Sequence, residues 1–142
     1  MALDVDGKVG RLAAARLFEG VDAAGMARIA DVAVEVDFAP GHVIARQGDI
    51  GSGFFVITAG RVRVTRDGRP IADLGPGDFF GELSVLDGQP RTAQVSAIDP
   101  TTCLALSTWE FESVVRERPD VALAILRGLA TRLRELTEAD RH

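Results

Sequence analysis

The 142-residue chain has no tyrosine, one tryptophan, one cysteine and two histidines, and Lys8 stands alone among its arginines. Each shortage closes off a class of protein. Cys103 has no partner for an internal disulfide, so a packed core rather than staples must hold the fold. With His42 and His142 as the two imidazoles, a histidine metal cluster or a histidine-based triad is hard to assemble, and neither metal nor cofactor is expected. No apolar run approaches the roughly 20 residues that span a bilayer. The start, Met1-Ala2-Leu3-Asp4-Val5-Asp6, is acidic where a signal peptide is basic and then apolar. The expected compartment is the cytoplasm, with no membrane partner. Basic residues are outnumbered, 16 against 21 acidic, for a formal charge of -5. That is the wrong sign for a nonspecific nucleic-acid binder.

What is present suits one soluble domain covering residues 1–142. Hydrophobic residues make up 46% and charged residues 26% of the chain. A chain of this length buries about 68 to 70% of its unfolded surface. Three zones follow one another. Over residues 7–33, Leu12, Ala15, Phe18, Met26, Ile29, Ala30 and Ala33 recur at three and four, the helical period. Two short helices are expected, broken near Glu19-Gly20-Val21-Asp22, with Asp22 capping the second.

Over residues 34–107 the period becomes two. Arg61-Val62-Arg63-Val64-Thr65-Arg66, the turn Asp67-Gly68 and Pro70-Ile71-Ala72-Asp73-Leu74 form a hairpin signature. Phe54-Phe55-Val56-Ile57, Thr92 to Ala97 and Thr102 to Leu106 supply further strands between Gly and Pro turns. The fold class is therefore mainly β with flanking helices, an antiparallel sandwich, barrel or jelly roll. Residues 108–140 are helical again: Ser107-Thr108-Trp109-Glu110 matches a capping box, Arg118-Pro119-Asp120 breaks that helix, and a second follows. Along the second, Ala122, Leu126, Leu129, Leu133 and Leu136 form a short heptad seam.

Catalytic signatures are lacking. Gly51-Ser52-Gly53 is no nucleophile elbow and Gly75-Pro76-Gly77 is no dinucleotide fingerprint, so each is turn chemistry and no enzyme is expected. The segment from Gly77 to Ala93 is different. Glu82 to Asp87 can form a helical turn or two, entered at Gly81 and ended at Gly88. Such a glycine-flanked start offers amides to a phosphate. Pro90 stiffens the approach of Arg91, whose planar fork suits phosphate oxygens. Thr92 and Ala93 add a hydroxyl and an amide. Glu82 belongs in that pocket if the ligand also brings a hydroxyl, as a ribose does. The residues alone leave two readings: an anion pocket, or a Glu82–Arg91 pair that binds nothing.

The run Phe80-Gly81-Glu82-Leu83-Ser84-Val85-Leu86, with Pro90-Arg91-Thr92-Ala93-Gln94-Val95 after it, resembles the phosphate-binding cassette of the cyclic nucleotide-binding domain family. The family's sensor domains occur in protein kinase A regulatory subunits, cyclic nucleotide-gated channels and the bacterial catabolite activator protein. Arg46-Gln47-Gly48-Asp49, Phe54 to Ile57, Gly60 to Val64 and Leu17 to Val21 extend the resemblance to nearly the whole chain.

The resemblance implies an eight-stranded jelly roll between N-terminal helices and a C-terminal helix pair, and a ligand rather than a substrate. Glu82 would accept the ribose 2′-OH, and the Gly81 backbone would lie on that ribose. Arg91 would pair with a phosphate oxygen beside the amides of Leu83 and Ala93 and the Thr92 hydroxyl. Family members that prefer cGMP often carry an arginine where this chain has Ala72, so cAMP is expected before cGMP. Leu126, Leu129 and Leu133 are the candidates for a cap over the base, or for a homodimer contact through the same helix. A DNA-reading role is not expected, since no helix-turn-helix follows the long helix. The alternative is a degenerate domain that has lost its ligand and serves only in dimerisation or docking; the intact Glu82 and Arg91 speak against it.

Overall fold

A computed structural model describes residues 4–13, 18–49, 53–81 and 89–139. Among these residues, helices α1 (Val5–Ala13) and α2 (Ala23–Val32) lead into eight strands: β1 (Val34–Phe38), β2 (Val43–Ala45), β3 (Gly53–Ala59), β4 (Val62–Arg66), β5 (Arg69–Leu74), β6 (Phe79–Phe80), β7 (Gln94–Ala97) and β8 (Thr101–Ser107). Helices α3 (Thr108–Glu117) and α4 (Pro119–Ala139) close the chain. One sheet has the order β1-β8-β3-β6 and the other β2-β7-β4-β5. Every described pairing is antiparallel, and the two sheets realise one of the architectures expected from the period-two zone.

Local chemistry sets the boundaries. Asp22 caps α2, its side chain accepting the Gly25 N–H at 2.8 Å. Ser107 caps α3 by accepting the Glu110 N–H at 3.2 Å. Pro119 opens α4, where a missing N–H costs nothing. Asp67 and Gly68 both take positive φ, 53° and 78°, the pair of left-handed residues that a two-residue hairpin turn demands.

The period of two sorts β3 and β8 between two cores. Phe54, Val56, Leu104 and Leu106 face the helices and pack with Leu12, Phe18, Phe111, Val114 and Val121. Their neighbours Phe55, Ile57 and Cys103 point into the space between the sheets, against Val62, Val95 and Ala45. The rings interlock: Phe54 meets Phe111 edge to face at 5.2 Å and Phe18 at 6.2 Å. Burial pushes the Cys103 thiol up to about 12, which leaves it protonated and inert near neutral pH.

The helix layer is also tied by charge. Arg118, between α3 and α4, reaches Asp120 at 2.8 Å and Asp22 at 3.3 Å. Its hydrogen bond holds the Asp120 carboxyl below the usual carboxylate range. Arg28 of α2 pairs with Glu117 of α3.

The leucine seam of the last helix is not the stripe that docks on the core. The face of α4 laid on the core is Val121, Ala124 and Ile125, with Leu129 packed against them from the edge. Leu126 and Leu133 are turned outward, 61% and 66% exposed. The reason is that the helix docks with Val121 fully buried behind Phe111 and Val114, one residue before the Ala122 from which the heptad count began. The side chain of Leu136 lies outside the described residues.

Candidate phosphate-binding site

The site is built where β6, the start of β3 and the approach to β7 converge. Strand β6 pairs with β3 through Phe55 and Phe80, and their rings stack at 5.1 Å. This pairing delivers Gly81 beside the N-terminal end of β3. Gly81 takes φ +88°, a conformation that L side chains rarely adopt. A Cβ there would stand 2.5 Å from Arg91 Nη1 and 3.3 Å from the Gly53 carbonyl oxygen. The absence of a side chain is what lets the guanidinium lie against the backbone.

Arg91 is half-buried and donates from Nη2 to the Gly53 carbonyl at 2.8 Å. Of the residues that sequence reasoning placed in the site, the structure brings Gly81 and Arg91 together and sets Thr92 and Ala93 directly after Arg91, at the approach to β7. Glu82 and Leu83 lie outside the described residues. Sequence reasoning missed Gly53, because a carbonyl acceptor on the chain has no side-chain signature.

Arg91 also borders a cavity of about 500 Å³ walled by Val34, Val36, Ile44, Phe55 and Ala105, with Glu110 at its margin. That volume is in the usual range for small-molecule sites. Among the described residues of the cassette, Arg91 lines this cavity and Gly81, Thr92 and Ala93 do not. None of Leu126, Leu129 and Leu133 lines it either; Leu129 packs on the helical side of the sheet. Among the described residues no group of three or more His, Cys, Asp or Glu could hold a metal ion. No helix among them is long and apolar enough to cross a membrane.

A family model described as the cyclic nucleotide-binding domain matches residues 35–118, from β1 to the end of α3. The chain belongs to the cyclic nucleotide-binding domain family. Among relatives of this cyclic nucleotide-binding domain, a CRP-like cAMP-activated global transcriptional regulator from Mycobacterium tuberculosis is 34% identical over 128 residues, 87% of this chain and 57% of the regulator. Two solved structures are similar. One is the N-terminal domain of a transcriptional regulator from Streptomyces coelicolor (TM-score 0.74, 35% identity, 89% of this chain and 93% of that one). The other is the catabolite activator protein of Thermus thermophilus (TM-score 0.77, 34% identity, 89% and 62%). The domain spans little more than half of the mycobacterial regulator. The jelly roll with flanking helices is thus the family's fold, as the resemblance implied, and one of the three architectures that the hydrophobic pattern allowed.

Proposed function

We propose that this domain binds a 3′,5′-cyclic purine nucleotide, cAMP in preference to cGMP, as a ligand that it does not turn over. The observation that carries the reading is the guanidinium of Arg91, held on the Gly53 carbonyl and packed against the side-chain-free backbone of Gly81. A preset planar cation next to a side-chain-free backbone suits a singly charged cyclic phosphate flanked by a ribose. Glu82, next along from Gly81, is the acceptor for the 2′-OH, with Leu83, Thr92 and Ala93 completing the donors. A named cAMP-activated relative at 34% identity supports the choice of ligand, and Ala72 in place of an arginine supports adenine over guanine.

Calorimetric titration with cAMP, cGMP and AMP tests the reading. The expected order is cAMP, then cGMP, then AMP, and chromatography after long incubation should return the nucleotide intact. No heat from cAMP at millimolar concentration, or steady formation of AMP, would overturn it.

The outward face of α4 is assigned to a response to occupancy, as a cap on the base or a contact with a second copy of the chain. Leu126 and Leu133 leave a large apolar surface in water, and burying a leucine is worth about 1.5 to 3 kcal/mol. Leu126→Asp with Leu133→Asp should therefore lower either the sedimenting mass or the cAMP affinity, without unfolding the domain, since neither side chain is in the core. Unaltered mass and affinity together would remove α4 from the mechanism.

A further inference from the structure

Arg91 is gripped by its main chain as well as by its side chain, and the grip comes from a turn far away in sequence. Its N–H donates to the Asp49 carbonyl at 2.8 Å, and its own carbonyl accepts the Gly48 N–H at 2.8 Å. The turn is closed by the Asp49 N–H on the Arg46 carbonyl at 3.3 Å, with Gly48 at φ +89°, a glycine position of type II turns. Gln47, in the middle of the turn, reaches the other way: its amide nitrogen donates to Asp67 Oδ1 and its amide oxygen accepts the Asp67 N–H, both at 2.9 Å. The 46–49 turn is thereby pinned to the β4–β5 hairpin on one side and to both backbone groups of Arg91 on the other.

On the reading of the site given above, we infer that Gly48 is a positioning residue for the phosphate anchor. The left-handed conformation at Gly48 aims the two main-chain bonds that set where the Arg91 guanidinium starts. A Cβ at Gly48 would meet nothing within 4 Å, so a substitution there acts on backbone conformation alone. A β-branched residue resists positive φ, whereas asparagine tolerates it. A turn that relaxes away from φ +89° moves its N–H and carbonyl, and Arg91 moves with them.

The protein supplies its own control. Gly41 sits at φ +83° in the turn closed by the His42 N–H on the Ala39 carbonyl, is exposed, and would also meet nothing within 4 Å if given a Cβ. Its N–H goes to the Ala97 carbonyl rather than to Arg91. Gly48→Val and Gly41→Val should lower the melting temperature by similar amounts. Only Gly48→Val should weaken cAMP binding, by about tenfold, equivalent to about 1.4 kcal/mol, and Gly48→Asn should keep nearly the wild-type affinity. In nitrogen-resolved NMR, the Arg91 Nε–H resonance of the unliganded protein should shift in Gly48→Val and not in Gly41→Val. Equal affinities in the two valine variants, or an unmoved Arg91 resonance in Gly48→Val, overturn the inference while the site stands. Absence of cAMP binding by the unaltered protein overturns the site itself and this inference with it.

Discussion

Arg91→Ala is expected to abolish measurable cyclic nucleotide binding in a protein that still folds. In the complex the guanidinium meets a full negative charge in a half-dry setting, where deleting one partner of a charge pair costs about 2 to 5 kcal/mol. At about 1.4 kcal/mol per decade the loss is roughly 30-fold to several thousand-fold. In the unliganded protein the bond to the Gly53 carbonyl is worth about 0.5 to 1.5 kcal/mol, a scale that the domain survives, and thermal melting reports the whole cost of the truncation. Glu82→Ala should lose less affinity. A charged acceptor bonded to a neutral hydroxyl is worth about 1.5 to 3 kcal/mol, and its removal also relieves repulsion towards the phosphate. Titration of both variants beside thermal melts decides the matter. A folded Arg91→Ala protein with wild-type affinity for cAMP would place the phosphate elsewhere.

Phe54→Ala should be the most destabilising single truncation in the helix-facing core. The ring is 1% exposed and sits between Phe18 and Phe111, so no neighbour can swing in to fill its place. Phe→Ala changes of this kind cost about 3 to 5 kcal/mol, against a total stability of about 5 to 15 kcal/mol for a domain. Chemical denaturation should report that loss at the midpoint with little change in slope. If the domain binds cAMP, ligand at about 100 times its Kd should return about 2.7 kcal/mol. A loss below about 1 kcal/mol would mean that the helices do not rest on this ring.

Much of the fold was legible because its signals are local. Asp67-Gly68 named its own turn, Asp22 and Ser107 named their caps, and Phe54-Phe55-Val56-Ile57, apolar throughout, read as a buried strand, while its division between two cores came only with the sheets on either side. The register of α4 was not legible. Its leucines form a cleaner heptad than Val121, Ala124 and Ile125, and which stripe is buried depends on how the helix docks behind Phe111, a tertiary fact. The site divides in the same way. Arg91 and Gly81 announce themselves by side-chain chemistry and by its absence, whereas the partners that hold them, the Gly53 carbonyl and the peptide groups of Gly48 and Asp49, are backbone, which every residue possesses.

The carbonyl that holds the guanidinium and the ring wedged into the helix layer belong to consecutive residues, Gly53 and Phe54. Consecutive Cα atoms are about 3.8 Å apart, so the anchor and the helices are separated by a single peptide plane. The residue whose carbonyl meets Arg91 is thus joined by one peptide to the ring that packs on Phe111 of α3. Trp109, 80% exposed on the same helix and the sole tryptophan of the chain, is a built-in fluorophore two residues from Phe111.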